Sequence, residues 1–385
     1  MGDKGLVKKI AAHYALTPDG VVKNPLVTLD DEGCILSVGT VSPEQLDGYA
    51  GVEFHAGMLT PALVNAHCHL ELSYLRGAIP EMCGHGGFAA AMAATRNSFT
   101  PEQRRQAIAA ADREMYDEAI TAVGDIANDD SAFDVKSRSA IRYRTFGEVF
   151  GLKADNYHRM LSIPHPQLLT PHSLYSLNDS LLKKLCREGQ GPLSIHFMES
   201  PAERQLFEGR GSLREWFDRE GFECDFLHYH SPAQRLTACV PPDRSVMLVH
   251  CTCVTQQDID VIMNHFRAPV HWCLCPRSNA YISGLQPDVE LLRRNRLDIC
   301  IGTDSLASNR SLSVLEELKM IQGVPADELL QWATANGAAA LGLHDGTGRL
   351  EAGSRCSLAV VSGLDWQSMR MTAQTRIRRV ETQIG

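Results

Sequence analysis

Two histidines separated by one residue stand in the run Asn65-Ala66-His67-Cys68-His69-Leu70-Glu71, which closes an apolar stretch. Side chains on an extended chain alternate with period two, so both imidazoles leave the same face. Neutral imidazole is the commonest protein metal ligand, and two of them side by side suit one metal ion. Three more polar groups end apolar runs elsewhere: His196 in Ser194-Ile195-His196-Phe197-Met198-Glu199, His250 in Leu248-Val249-His250, and Asp304 in Ile301-Gly302-Thr303-Asp304. Each has an ordinary structural reading, a hydrogen-bonded histidine at a strand end or, for Asp304, the N-cap of a following helix. Those readings must all hold independently at four strand ends. Delivery of His67, His69, His196, His250 and Asp304 to one metal-binding place is the more economical account.

Such delivery requires elements that bring distant strand ends together. Short apolar strand candidates recur over Met58–Asn65, Thr121–Asp125, Arg142–Val149, Gln167–Pro171, Leu193–Met198, Val246–His250, Val270–Leu274 and Asp298–Thr303. Helical patterns lie between them, at Gln103–Ala119, Ser180–Cys186, Ser212–Glu220, Gln256–Phe266, Val289–Asn295 and Leu312–Gln322. Strand alternating with helix implies parallel strands joined by crossovers. Eight such units close into a (β/α)8 TIM barrel, whose active site gathers at the carboxyl ends of the strands. The termini read differently. Leu26–Leu29 and Cys34–Val38 flank the turn Asp30-Asp31-Glu32-Gly33, and Leu358–Val361 is a short strand between the turn-rich Gly346–Gly353 and Gly363. Neither end can bury a core alone, so residues 1–57 and 346–385 are expected to form one small β domain beside a barrel of residues 58–345.

Composition bounds the function. A hydrophobic fraction of 44% with 22% charged residues is that of a globular protein able to build a sizeable core. The formal charge of −9 and the lack of a basic run argue against nucleic acid or an anionic membrane as partner. No stretch has the length of a membrane span, and the N-terminus lacks a secretory pattern. The chain begins Met-Gly, but Leu6 breaks the myristoylation pattern. Twelve cysteines without an export signal read as reduced thiols of a cytoplasmic protein. The C-x-C pairs Cys251/Cys253 and Cys273/Cys275 raise a four-cysteine zinc site, but burial on one strand face is the plainer reading.

At this point the sequence resembles the amidohydrolase superfamily, and within it the aminohydrolase branch of adenosine, S-adenosylhomocysteine, aminofutalosine and guanine deaminases, which also holds triazine chlorohydrolases. The resemblance rests on Thr60-Pro61-Ala62-Leu63-Val64-Asn65-Ala66-His67-Cys68-His69-Leu70-Glu71, Pro171-His172-Ser173-Leu174-Tyr175-Ser176, His196-Phe197-Met198-Glu199-Ser200, Leu248-Val249-His250-Cys251, Cys275-Pro276-Arg277-Ser278-Asn279 and Gly302-Thr303-Asp304-Ser305-Leu306-Ala307-Ser308-Asn309. It implies a composite β-sandwich from the two termini. It implies one divalent metal, zinc or iron(II), on His67, His69, His196 and Asp304, with His250 orienting the water and Glu199 shuttling protons. A metal lowers the pKa of bound water from 15.7 toward about 7 and so makes a nucleophile at neutral pH. Asp304 would take the water proton, and Glu199 would protonate a ring nitrogen of the substrate before ammonia leaves. The implied function is hydrolytic deamination of an amino-substituted aromatic N-heterocycle, an adenosine-derived compound first. The alternatives are hydrolysis of another C–N or C–Cl bond, in a cyclic amide or a triazine, and a non-catalytic binding protein on the same fold. A small-molecule substrate and a homodimer are likewise what the family implies.

The remaining candidates are substrate contacts. His172 would project from the fourth strand end, or be a satisfied loop histidine. Glu71 and Arg76 follow the first strand and would grip a polar substrate edge, or be solvated loop charges. Arg277, Ser278 and Asn279 follow the seventh strand; Asn279 would fix the loop or touch substrate, and Arg277 would bind an anionic group or face solvent. His85, among Gly84, Gly86 and Gly87, reads as a surface loop or a flexible lid. His13, His55, His228, His230 and His265 read as non-functional. A bridging lysine for a second metal is expected on the fourth strand of binuclear relatives; Lys153 is the nearest candidate. Cytidine-type deaminase chemistry needs P-C-x-x-C, which does not occur here.

Overall fold

The computed structural model describes residues 7–46, 51–163, 168–355 and 357–382. The N-terminal Met-Gly, Leu6 and Gln167, the expected start of the fourth strand, lie outside the described residues. Two compact units are present: Met1–Asn65, Glu114–Ala122 and Ser313–Gly385 in one, Ala66–Arg113 and Val123–Leu312 in the other.

The first unit contains a seven-stranded sheet built from both ends of the chain. Lys8–Thr17 pairs in parallel with Val52–Pro61 and antiparallel with Pro25–Leu29, which pairs with Ile35–Thr40. From the far end, Leu358–Ser362 joins antiparallel to Val52–Pro61 and carries Arg376–Val380 outside it. In Pro25–Leu29 every second residue is buried, as a sheet with one face on a core requires. That core collects Ile10, Val27, Leu29, Ile35 and Leu59 with Leu358, Val360 and Val380. Fully burying each such side chain is worth about 1.5–3 kcal/mol, and neither terminus supplies enough of them by itself. The expected turn is present: Asp30 Oδ1 accepts hydrogen bonds from the amides of Glu32 and Cys34 at 3.0 and 2.8 Å, and Gly33 takes φ 79°.

The strand expected over Met58–Asn65 is two strands. Met58–Pro61 ends Val52–Pro61 and pairs with Leu358–Val361, and the barrel strand starts afresh at Leu63. The eight barrel strands are β1 (Leu63–Cys68), β2 (Ile120–Ala127), β3 (Arg142–Val149), β4 (Leu168–Pro171), β5 (Leu193–Phe197), β6 (Val246–His250), β7 (Val270–Leu274) and β8 (Asp298–Ile301). They form two four-stranded sheets in the orders β1-β2-β3-β4 and β5-β6-β7-β8. Parallel bridges between Ser173 and His196 and between Cys68 and Asp304 close the two seams. Every residue of β5, β6 and β7 is buried, the near-continuous apolar run of parallel strands covered on both faces.

The seams position the chemistry. His196 N donates to His172 O at 2.9 Å at one of them. At the other, Thr303 N and Asp304 N both donate to His67 O, at 2.9 and 3.1 Å. Gly302 is required there, because a Cβ on it would lie 2.7 Å from His67 Cβ and 2.9 Å from His67 O. Among the described residues no helix is long and apolar enough to cross a membrane.

Candidate active site

His67, His69, His196 and Asp304 are buried together, with one ligand atom from each inside a group spanning no more than 4.8 Å. His67 is the penultimate residue of β1, and His69 is the first residue beyond that strand. Their rings are 5.0 Å apart and nearly perpendicular. His69 Nε2 lies 3.4 Å from His196 Nε2 and 3.5 Å from Asp304 Oδ1, and His67 Nε2 lies 3.9 Å from the same oxygen. His196 Nδ1 faces the carbonyl oxygen of His172 at 2.9 Å. A carbonyl only accepts, so the ring proton sits on Nδ1 and the lone pair of Nε2 points into the cluster. His67 Nε2 is buried without a hydrogen-bond partner. Burial first, and neighbouring imidazoles second, hold His67 and His196 well below the usual histidine range. These are neutral imidazoles with bare nitrogens converging on a carboxylate, the donor set that one divalent cation requires.

Asp304 is held from behind. Its Oδ2 accepts from Ser278 Oγ at 2.5 Å and Ser308 Oγ at 2.7 Å, which leaves Oδ1 toward the histidines. Burial would raise its pKa, but the neighbouring His69 and His250 rings outweigh that and lower it. Left-handed backbone at Met198, His250 and Asp304 (φ 46°, 77° and 56°) turns the chain sharply at three of these strand ends. Non-glycine residues persist there only when the surroundings impose it.

Beside the cluster, Glu199 Oε1 stands 3.6 Å from His250 Nε2 and 3.1 Å from His85 Nε2. Burial would raise Glu199, yet His250 and His85 outweigh it and push the carboxyl well below the usual range. His250 Nδ1 pairs with Asn279 Oδ1 at 2.9 Å. Asn279 thus holds the His250 ring, where the sequence suggested a loop brace or a substrate contact. His172 is half-buried and stacks on His196, ring centroids 4.7 Å apart.

The other candidates have varied surroundings. Glu71 is no solvated loop charge: it is buried and accepts from the backbone amides of Asn128 and Asp129 at 2.9 and 3.2 Å. Burial, then nearby Asp129, raise its pKa to about 8. Arg76 is exposed, and Arg277 is half-buried in the first turn of the helix Pro276–Ile282. Lys153 is exposed and donates to the carbonyl of Glu220, away from the cluster. Cys251, Cys273 and Cys275 are buried and Cys253 half-buried, and among the described residues the cysteines form no metal-ligating group. His85 is neither loop nor lid tip but lies in the first turn of a helix, Gly84–Thr95.

Three residues with a part in this arrangement escaped the sequence reading. Glu148, near the end of β3, places Oε1 3.7 Å from His196 Nδ1; its position one residue from a strand end was a signal. Asp125, in β2, accepts from Leu70 N at 2.9 Å and from buried Lys136 at 2.7 Å, and so pins the chain just after His69. Ser308 lies four residues beyond Asp304, and only folding shows its hydroxyl on the carboxylate.

The sequence model of the amidohydrolase family matches residues 58–380. The chain belongs to the amidohydrolase family. As such it is a hydrolase that acts on carbon–nitrogen bonds. This amidohydrolase is 24% identical over 368 residues to a 5-methylthioadenosine/S-adenosylhomocysteine deaminase of Halalkalibacterium halodurans, covering 86% of this chain and 78% of that protein. Among solved structures it resembles the aminofutalosine deaminase of Helicobacter pylori in complex with methylthio-coformycin, with a TM-score of 0.79, 24% identity, and coverage of 95% and 93% of the two chains. An adenosine deaminase of Xanthomonas campestris with bound zinc superposes with a TM-score of 0.72 at 20% identity, over 96% and 87% of the chains. The structural likenesses establish a TIM barrel with a small sheet domain.

Proposed function

We propose that this amidohydrolase is a metal-dependent hydrolytic deaminase of an amino-substituted aromatic N-heterocycle, with an adenosine-derived compound as substrate. The observation that carries it is the pairing of a three-histidine, one-aspartate cluster with Glu199, a carboxylate 3.6 Å from His250 Nε2. The names of the relatives support the substrate class. His67, His69, His196 and Asp304 would hold one divalent cation, zinc first. When bound, that cation supplies Lewis-acid activation of water at neutral pH.

The chain's own groups do the rest. With its Nδ1 proton on Asn279, His250 presents an unprotonated Nε2 that accepts a hydrogen bond from the attacking water and aims it. Asp304 Oδ1 takes the water proton while Ser278 and Ser308 keep Oδ2 fixed. Glu199, ionised at rest, relays the second proton of the attacking water to a ring nitrogen, so the attacked carbon becomes tetrahedral without building negative charge on the ring. Return of a proton to the exocyclic amine then lets ammonia leave. His172, beside His196, would contact the heterocycle, and Arg277 would meet an anionic group on a larger substrate.

Metal analysis coupled to ammonia release tests this, with adenosine, methylthioadenosine, S-adenosylhomocysteine, aminofutalosine and guanine as substrates. The expected result is about one zinc or iron per chain, ammonia from at least one compound, and loss of activity on chelation. Glu199→Gln should keep the metal and lower kcat by roughly 10²–10⁴. A metal-loaded protein silent across the panel refutes the reading, and chloride release from a chlorotriazine without ammonia would replace it.

A further inference from the structure

We propose that His85 is a positioning residue for Glu199, carried to it by the first turn of the helix Gly84–Thr95. The proposal rests on Glu199 being the proton shuttle. One carboxylate oxygen, Glu199 Oε1, stands between two imidazoles, His85 Nε2 at 3.1 Å and His250 Nε2 at 3.6 Å. The two are not equivalent. His250 is committed to Asn279 through Nδ1, at 2.9 Å, so its ring is held from the far side. His85 has no such commitment and can present N–H or imidazolium. Its contact is charge to charge, since Nε2 lies within ion-pair distance but off the line of a hydrogen bond. His85 is therefore the nearer and less committed partner, and it holds the Glu199 rotamer beside the cluster.

The glycine-rich run around His85 makes this placement feasible. Gly84 adopts φ 66°, a left-handed turn into the helix, and a Cβ on Gly87 would lie 2.9 Å from Cys83 Cβ. A bulkier residue at position 87 would press on Cys83 and swing the first turn away. The preceding chain is tethered by Met82 N on Tyr281 O and Tyr281 Oη on Ile79 O, both at 2.6 Å. The helix itself buries no residue completely and rests through Phe88, Ala91 and Met92 on Leu75, Ile79 and Ala307. His85 thus sits on a firmly anchored turn at the head of a lightly packed helix.

The test compares zinc-loaded wild type with His85→Ala and His85→Gln, using whichever compound of the deamination panel turns over. Loss of one charge-assisted contact should lower kcat about 10- to 100-fold in His85→Ala with KM within about threefold. Added imidazole should recover much of that loss in His85→Ala, whereas His85→Gln, which cannot carry the charge, should stay impaired; zinc content should match wild type in both. A second readout needs no turnover. In ¹⁵N-histidine NMR spectra, the ring signals that vanish in His85→Ala should shift when Glu199 is replaced by Gln. Unchanged kcat in His85→Ala, loss without rescue, or His85 signals indifferent to Glu199→Gln overturns the proposal. If the wild type deaminates nothing on the panel, the functional reading fails, while the spectra still decide whether His85 and Glu199 are paired.

Discussion

Replacing Gly302 by alanine adds one methyl group at the seam where β8 meets β1. That methyl carbon would lie 2.7 Å from His67 Cβ, 2.9 Å from His67 O and 3.0 Å from Cys273 Sγ, all short of the 3.4 Å at which ordinary contact begins. Two of the three atoms cannot rotate away. His67 O is also tied to Thr303 N and Asp304 N at 2.9 and 3.1 Å, so the strain falls on the strand that carries one proposed ligand and the turn that carries another. Overpacking of this kind costs about 1–3 kcal/mol, and a large domain loses about 2–4 °C of unfolding temperature per kcal/mol. Displacing His67 by a few tenths of an ångström should weaken metal binding by about 10- to 100-fold, the scale seen when a ligand loses its support. Thermal unfolding in chelator measures the first effect, and zinc competition against a chromophoric chelator measures the second. Gly39→Ala is the control, because its nearest neighbour would be Leu26 O at 4.0 Å. A Gly302→Ala protein with wild-type unfolding temperature and wild-type zinc affinity would refute the claim that seam packing sets the ligand geometry.

Two further outcomes follow from the same structure. Asn279→Ala removes the partner of His250 Nδ1; leaving a buried donor unpaired costs about 1–3 kcal/mol, and with the tautomer released kcat should fall about tenfold or more at unchanged KM, so steady-state rates within twofold of wild type would count against the assigned tautomer. Glu203 is buried, and burial followed by the Glu199 charge raises its pKa from 4.5 to about 8. The folded state therefore keeps a proton that the unfolded chain has already lost, and stability falls as pH rises from about 4.5 toward 8, by at most about 1.4 kcal/mol per pH unit. Glu203→Gln should remove that slope, so its unfolding temperature relative to wild type should climb between pH 5 and pH 8; a flat or inverted difference would show that Glu203 is ionised in the native protein.

The sequence alone determined the parts of this protein whose physics is local. Continuous apolar runs such as Val246–His250 and Val270–Leu274 are strands wherever they are buried on both faces, and the bounds expected for both are those observed. Polar residues closing such runs stand out against an apolar background, which is why His67, His69, His196, His250 and Asp304 are legible as site candidates in the order of the amino acids. Met58–Asn65 reads wrongly as one strand because an apolar run carries no mark of which sheet it will join; Leu358–Val361, some 300 residues away, captures its first half. Tertiary structure alone decided what each strand-end residue touches. Ser278 on Asp304, Asn279 on His250, Asp125 on the chain after His69 and His85 on Glu199 join segments that no spacing rule relates. The reason is physical: hydrogen-bond and ion-pair partners are chosen by the closure of the barrel, and that closure depends on long-range seams such as the one at Gly302, where the close approach of two backbones leaves no room for a side chain.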